Sequence, residues 1–196
     1  TSWSNLGNGI NGSVAAMAID ADNRVYVGGI FDTLAGKTVR NIALWDGTNW
    51  NALVDNANGI AGANNEVRSL AVDTDGILYA GGNFDEAGGN FANRIASWDG
   101  NNWSALGDGT SGFVEAIATT ENAVYAGGNF AEAGNSTVNR IAKWDKSSGS
   151  WSALGNGFSN IVTALIHDGN YLYAAGGFKV AYQNAKDAII VNTMAR

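Results

Sequence analysis

Apolar and polar positions along the chain recur as one phrase of about fifty residues. In its clearest form, from Val124 to Leu154, an apolar segment ends in Gly127-Gly128 and a polar loop follows. A second apolar segment then ends in Trp144-Asp145, and a tight turn leads into a third that carries Trp151. The same phrase fills Val25 to Leu53 and Leu78 to Leu106, and returns in eroded form from Leu172. Ahead of each copy stands an alternating segment with small residues: Val14, Ala16, Ala18; Val67, Ser69, Ala71; Val114, Ala116, Ala118; Val162, Ala164, Ile166. Period-two alternation is the mark of a β-strand with two unlike faces, and helical periodicity is nearly absent. The pattern predicts an all-β chain with four short strands per repeat. Small side chains on the first strand suit a crowded central axis, and the paired glycines suit a bulge or a close backbone approach.

Tryptophan opens the fourth strand at positions 3, 50, 103 and 151, at intervals of 47, 53 and 48. One insertion, Val54 to Glu66, accounts for the long interval and leaves the repeat intact. A repeat of this length, punctuated by Gly and aromatic residues, predicts the blades of a β-propeller. The expected units are about 14–53, 67–106, 114–154 and 162–196, with 1–7 joining the last. The chain opens on a fourth-type strand (Trp3 to Leu6) and finishes on a third-type strand (Ala188 to Met194). The simplest closure pairs the N-terminal strand into the last blade, giving four four-stranded blades in one domain without an open edge. A longer propeller, or two chains closing one larger ring, are the alternatives.

The segments Val124–Gly128, Trp144-Asp145 and Trp151 resemble the kelch type of propeller repeat, with an apolar strand, a Gly pair, an aromatic-Asp step and a following Trp. The wording GGNF…AG…NRIA-WDG–WSALG is more similar still to kelch-like repeats of bacterial surface proteins and of the fungal cortical polarity-marker family. The resemblance covers nearly the whole chain. It implies a propeller that serves adhesion or scaffolding, and it leaves function open because such scaffolds host many activities. The copper site of the kelch-type enzyme galactose oxidase needs paired histidines and a Tyr–Cys cross-link, whereas this chain has one His and no Cys. The last repeat also lacks the Trp-Asp step.

Composition narrows the field. Of the 196 residues only 15% are charged, and the net charge is -7. Phosphate backbones are bound by clustered Lys and Arg, so nucleic acid is not an expected partner. No apolar run approaches the length of a membrane span, so no insertion is expected. Without cysteine there is no disulfide framework or thiolate chemistry. Three N-x-S/T sequons, at Asn11, Asn102 and Asn135, agree with an extracellular or cell-surface location. A monomer or weak oligomer is expected.

Few residues offer chemistry. His167 is the lone histidine and has no evident orienting partner for acid–base work. The acidic turns Asp20-Ala-Asp22-Asn23 and Asp73-Thr-Asp75-Gly76 have the i, i+2 carboxylates of half a calcium loop, so Ca²⁺ at Asp20, Asp22, Asp73 and Asp75 is one expectation. Asp, Asn and Gly are equally what a tight hairpin turn demands. The pairs Trp45/Trp50, Trp98/Trp103 and Trp144/Trp151 read as blade packing first and as a sugar-stacking platform second. In an antiparallel propeller the strand-four-to-one and strand-two-to-three loops share a face, and there the insertion and a basic final loop break the symmetry. The sequence thus predicts a non-enzymatic, lectin-like binding or adhesion module. Its glycan or protein ligand would meet Asp55, Asn56, Asn58, Asn64, Lys179, Tyr182, Gln183 and Lys186. The alternative is a structural repeat of a larger adhesin or wall protein, with at most an ion in the axial channel.

Overall fold

The computed structural model describes residues 6, 9–34, 36–179 and 188–190, the last three as backbone. All regular structure in it is β. The first repeat forms β1 (Ser13–Ile19), β2 (Val25–Ile30), β3 (Thr33–Leu34), β4 (Lys37–Thr38), β5 (Ile42–Trp45) and β6 (Trp50–Ala52). The second forms β7 (Val67–Val72), β8 (Leu78–Gly82), β9 (Glu86–Ala87), β10 (Asn90–Phe91), β11 (Ile95–Trp98) and β12 (Trp103–Ala105). The third forms β13 (Phe113–Thr119), β14 (Ala123–Asn129), β15 (Glu132–Ala133), β16 (Ser136–Thr137), β17 (Ile141–Asp145) and β18 (Ser150–Ala153). The fourth contributes β19 (Val162–His167), β20 (Leu172–Gly176) and β21 (Ala188–Ile190).

Each of the first three repeats folds into one four-stranded antiparallel sheet in plain order: β1-β2-β5-β6, β7-β8-β11-β12 and β13-β14-β17-β18. The polar loops between second and third strands carry two-residue ribbons: β3/β4, β9/β10 and β15/β16. In the second repeat Gly88 and Gly89, with φ of 58° and 79°, make the ribbon's turn, a backbone shape that side chains resist. Arg40, Asn41, Arg94 and Arg140 also adopt positive φ, where the loop turns back into the third strand.

The fourth sheet departs from the expected order. β21 runs parallel to β20, pairing Leu172 with Ala188 and Ala174 with Ile190. An antiparallel third strand was expected there. The fourth repeat has no counterpart to the Asn-Arg step that reverses the chain at 93–94 and 139–140, which removes the local device for an antiparallel return. The expected closing strand around Trp3 lies outside the described residues.

A bulge near the start of each first strand sorts the side chains. Between Val14 and Ala16, Val67 and Ser69, Val114 and Ala116, and Val162 and Ala164 the register slips by one. Val67 therefore shares a face with Leu70, not with Ser69, and both press on Gly28 of the preceding sheet. The small residues thus pack against the next sheet and do not all line an axis together with the valines. A Cβ on Gly28 would lie 2.5 Å from Val67, one on Gly81 2.5 Å from Val114, and one on Gly127 2.6 Å from Val162. Glycine at that position is what lets one sheet stack directly on the next. A second tie sits at the outer edge: Trp103 Nε1 donates to the Leu53 carbonyl (3.0 Å) and Trp151 Nε1 to that of Leu106 (2.7 Å). Within each of the first three sheets the Trp pair packs at centroid distances of 5.3–5.4 Å, as the blade-packing reading expects. The tryptophans serve packing, and each pair of adjacent sheets encloses its own apolar core.

Candidate functional site

Strand polarity puts the loops and the tight turns at opposite ends of the sheets. At the loop end, polar side chains stitch the backbone. Asn64 Oδ1 accepts from the amides of Asp85 and Glu86, Asn11 Oδ1 from Thr33, and Ser111 Oγ from Ala131 and Glu132. Lys179 donates its own amide to Ser159 Oγ in the same way. Asn64 and Lys179 thus sit at positions of the repeat that every copy uses for the same clamp.

The insertion has a structural task as well. Asp55 is fully buried, and its carboxylate accepts from the amides of Ala57, Asn58 and Trp103 and from the Asn90 side chain. With both oxygens consumed, Asp55 has nothing to offer a ligand. Asn58 Nδ2 donates to the Gly88 carbonyl and Asn90 Oδ1, and the Asn56 amide donates to the Asn101 carbonyl. The insertion is a strap holding the first sheet to the second. Tyr182, Gln183 and Lys186 lie outside the described residues.

The turn end has a different character. Between the first and second sheets opens a cleft of about 490 Å³. One wall is the β1–β2 turn with Asp20, Asp22 and Arg24; the other is the β7–β8 turn with Thr74, Asp75 and Gly76. Asp99 and Gly100 of the β11–β12 turn flank it, and Tyr26, Leu44 and Trp98 form an apolar floor. The recurrent acidic turns and one Asp-Gly hairpin therefore meet at a single place.

Local sequence explains each turn. Asp20 Oδ1 accepts from the amides of Asp22 and Arg24, while Arg24 Nε donates to Oδ2 at 2.7 Å. Burial pushes the Asp20 carboxyl up, but the Arg24 amide and guanidinium outweigh it and the net shift is downward. Asp99 accepts from the amides of Asn102 and Asn101, and these bonds hold its carboxyl below the usual range. Both groups are therefore anions at neutral pH. Asp22 and Asp75 are exposed at the rim.

Asp73, the fourth candidate calcium ligand, stands in the same β7–β8 turn as Asp75 but faces the third sheet. Its Oδ1 accepts from the amides of Asp75 and Ile77; its Oδ2 accepts from Tyr79 Oη and from Lys146 Nζ at 2.7 Å. The Asp20 and Asp73 carboxylates thus work as turn caps, the outcome that turn chemistry predicts. Among the described residues, no group of three or more His, Asp or Glu side chains is placed to hold a metal ion. His167 Nδ1 accepts from the Gly169 amide, and its ring stacks on Tyr125 at 6.2 Å.

The cleft was missed in the sequence because its walls come from adjacent repeats. The signal was present in part, since the acidic turns stood out. That they converge with Asp99-Gly100 of the neighbouring hairpin requires knowing how the sheets stack.

No family model matches the chain, and no curated protein matches it. Among solved structures it is similar to the computationally designed Ika4 protein, with 20% identity over 90% of this chain and 95% of that one, and a TM-score of 0.56. It is also similar to the designed Ika8 protein, at 20% identity and a TM-score of 0.55, covering 96% of this chain and 55% of that one. A third likeness is to the extracellular domain of the hybrid two-component system BT4673 from B. thetaiotaomicron, at 16% identity and a TM-score of 0.56. It covers 93% of this chain and 22% of that one. At these identities the likeness is one of fold: an all-β array of four-stranded antiparallel sheets, which an extracellular domain also uses.

Proposed function

We propose that the four sheets are blades of a kelch-like β-propeller, and that the protein is a non-enzymatic, extracellular binding module for a glycan. The observation that carries the reading is the cleft between the first two sheets. Ligand sites are typically concave, with an apolar floor and a few placed polar groups. Here the half-buried Leu44 and Ala52, backed by the buried rings of Tyr26 and Trp98, offer a small apolar patch for the C–H face of a sugar ring, and Asp22, Asp75 and Asp99 offer carboxylate acceptors for its hydroxyls. An extracellular location is in keeping with the fold shared with an extracellular domain. The engagement of His167 in packing and turn formation supports the non-enzymatic reading.

This places the ligand at the turn end, opposite the face that the insertion suggested. The loop-end candidates Asp55, Asn58 and Asn64 spend their polar atoms on the scaffold. A glycan array, followed by calorimetry on the strongest hit, tests the assignment. Asp75→Asn lowers affinity at least tenfold if the cleft is the site, and Asn56→Ala leaves it unchanged. The reverse pattern would move the ligand to the loop end.

A second reading, a structural repeat unit of a larger surface assembly, has its own observation. The outermost faces of the first and last sheets are apolar and uncovered.

A further inference from the structure

The first strands β1, β7, β13 and β19 lie side by side in sequence order, each packed on the next. At every junction the rear face of one sheet, a Val and a Leu or Ile, enters the forward face of the sheet before it. Val67 and Leu70 meet Gly28, Val114 and Ile117 meet Gly81, and Val162 and Leu165 meet Gly127. The side chains that enter are covered: Val67, Val114 and Val162 are each 0% exposed.

Two faces of the same kind have no partner among the described residues. On the rear of the first sheet Val14 and Met17, the counterparts of Val67 and Leu70, are 43% and 60% exposed, and Ile19 is 63% exposed. On the front of the fourth sheet Ile166 is 66% exposed, and Ala175 occupies the position of Gly127. A knob without a socket and a socket without a knob stand at opposite ends of one array. Apolar patches of this kind on a soluble protein mark a contact surface.

We infer that a second copy of this chain covers both ends, so that two chains close one ring of eight sheets. The inference rests on the propeller reading above. Its warrant is the uniformity of the three junctions, which fixes an equal rotation per sheet. Four such steps would close a four-sheet ring only if the rear of β1 met the front of β19, and the exposure of Met17 and Ile166 shows that it does not. The same step continued onto another copy uses the same residues in the same register. Two copies are the smallest number that can complete the circle, and a head-to-tail contact that closes gives a ring, not a fibre.

One further observation places Leu6 at such a junction. Trp50 Nε1 donates to the Leu6 carbonyl at 3.0 Å, as Trp103 does to Leu53 and Trp151 to Leu106. Leu53 and Leu106 directly follow the outer strand of the sheet preceding the donor. Leu6 therefore takes the place that Leu53 and Leu106 hold at the later junctions, ahead of the first sheet. In the two-chain ring the sheet across that junction is the partner's fourth.

The chain has no cysteine, so paired substitutions give an unambiguous cross-link. A Cβ built on Gly28, Gly81 or Gly127 lies 3.0–3.1 Å from the Val Cβ that faces it, close to the spacing a disulfide spans. Val14→Cys protein is mixed with Ala175→Cys protein and oxidised, and the Val14→Cys/Ala175→Cys double variant is oxidised alone. Wild-type mass is measured by light scattering. A two-chain mass, with a disulfide between the two single variants, is the expected result. An intrachain disulfide in a one-chain species would overturn the two-copy inference while sparing the propeller. No cross-link in either experiment would overturn both, and a ladder of higher masses would replace the ring with a filament.

Discussion

Two neighbouring clefts on the same scaffold end up in opposite states. Between the first and second sheets the space at the turn end is open; between the second and third it is filled. The filling group is Lys146, whose Nζ donates to Asp73 Oδ2 and to the Thr120 carbonyl while lying 5.4 Å from the centre of the Tyr79 ring. Its counterpart in the preceding hairpin is Gly100. That hairpin closes from Trp98 to Trp103, whereas the later one is two residues longer, from Trp144 to Trp151, and pairs Asp145 with Ser150. Gly100, at φ 97°, has no side chain and sits in a turn that a lysine would strain.

The buried carboxylate of each cleft is neutralised differently. Asp20 receives its cation from its own turn, through Arg24. At the position of Arg24 the second sheet has Ile77, and Asp73 takes its cation from the next sheet instead. A local cation leaves the cleft free. A borrowed one closes it. The comparison teaches that the repeat supplies the walls of a site, and that the source of one positive charge decides whether a site exists.

The largest way to break the comparison is Lys146→Met. Asp73, with its side chain 1% exposed, would keep its bonds from Asp75, Ile77 and Tyr79 but lose the one from Lys146 and its counter-charge. Removing one partner of a buried pair predicts a loss of about 3 kcal/mol, or roughly 10 °C in Tm by calorimetry. Arg24→Met should cost less, on the order of 1 kcal/mol, because Arg24 is 40% exposed and Asp20 keeps two amide donors. Equal losses would refute the difference between local and borrowed charge.

Exchanging the hairpin Asp99–Asn102 for the sequence of Asp145–Ser150 sharpens the comparison from the other side. The longer turn with its lysine should plug the first cleft, abolish glycan binding and change stability by less than about 1 kcal/mol. Calorimetry and thermal melting of the same variant separate the two effects.

Acid should affect both hairpins. Ser147 and Ser148 hold the Asp145 carboxyl down to about 2, and Asp99 and Asp20 are also depressed. A depressed folded-state value means that these groups stabilise the protein above the unfolded carboxylate value near pH 4, and that the contribution fades as pH falls through the folded values. Melting temperature should therefore be flat from pH 7 to about 4 and fall between about 4 and 2. The smallest effect is expected at the loop end: Asn56→Ala, at an exposed position, should stay within about 0.5 kcal/mol of wild type.

Much of the scaffold was legible in the sequence because it is written four times. Strand spans, the Trp hairpins and the structural role of the tryptophans follow from alternation and turn residues alone. The bulge was not legible as a sorting device: Val14, Ala16 and Ala18 look like one face until a register slip separates the first from the others. Asp55 illustrates the harder limit. As an acidic residue in the only large insertion it had the marks of a ligand group, yet its partners Asn90 and Trp103 belong to the next sheet. The cleft was invisible for the same reason, since Asp22, Asp75 and Asp99 come from three turns and two repeats. Local chemistry is readable along the chain, and contacts between repeats are not.

Amide chemical-shift mapping of the array-selected glycan onto the labelled protein is the most direct test of the cleft. The account predicts shifts confined to Asp22, Gly76, Gly100 and their neighbours, with Lys146 and the insertion around Asn56 to Ala63 unmoved. Shifts centred on the insertion, or spread evenly over equivalent turns of all the repeats, would contradict it.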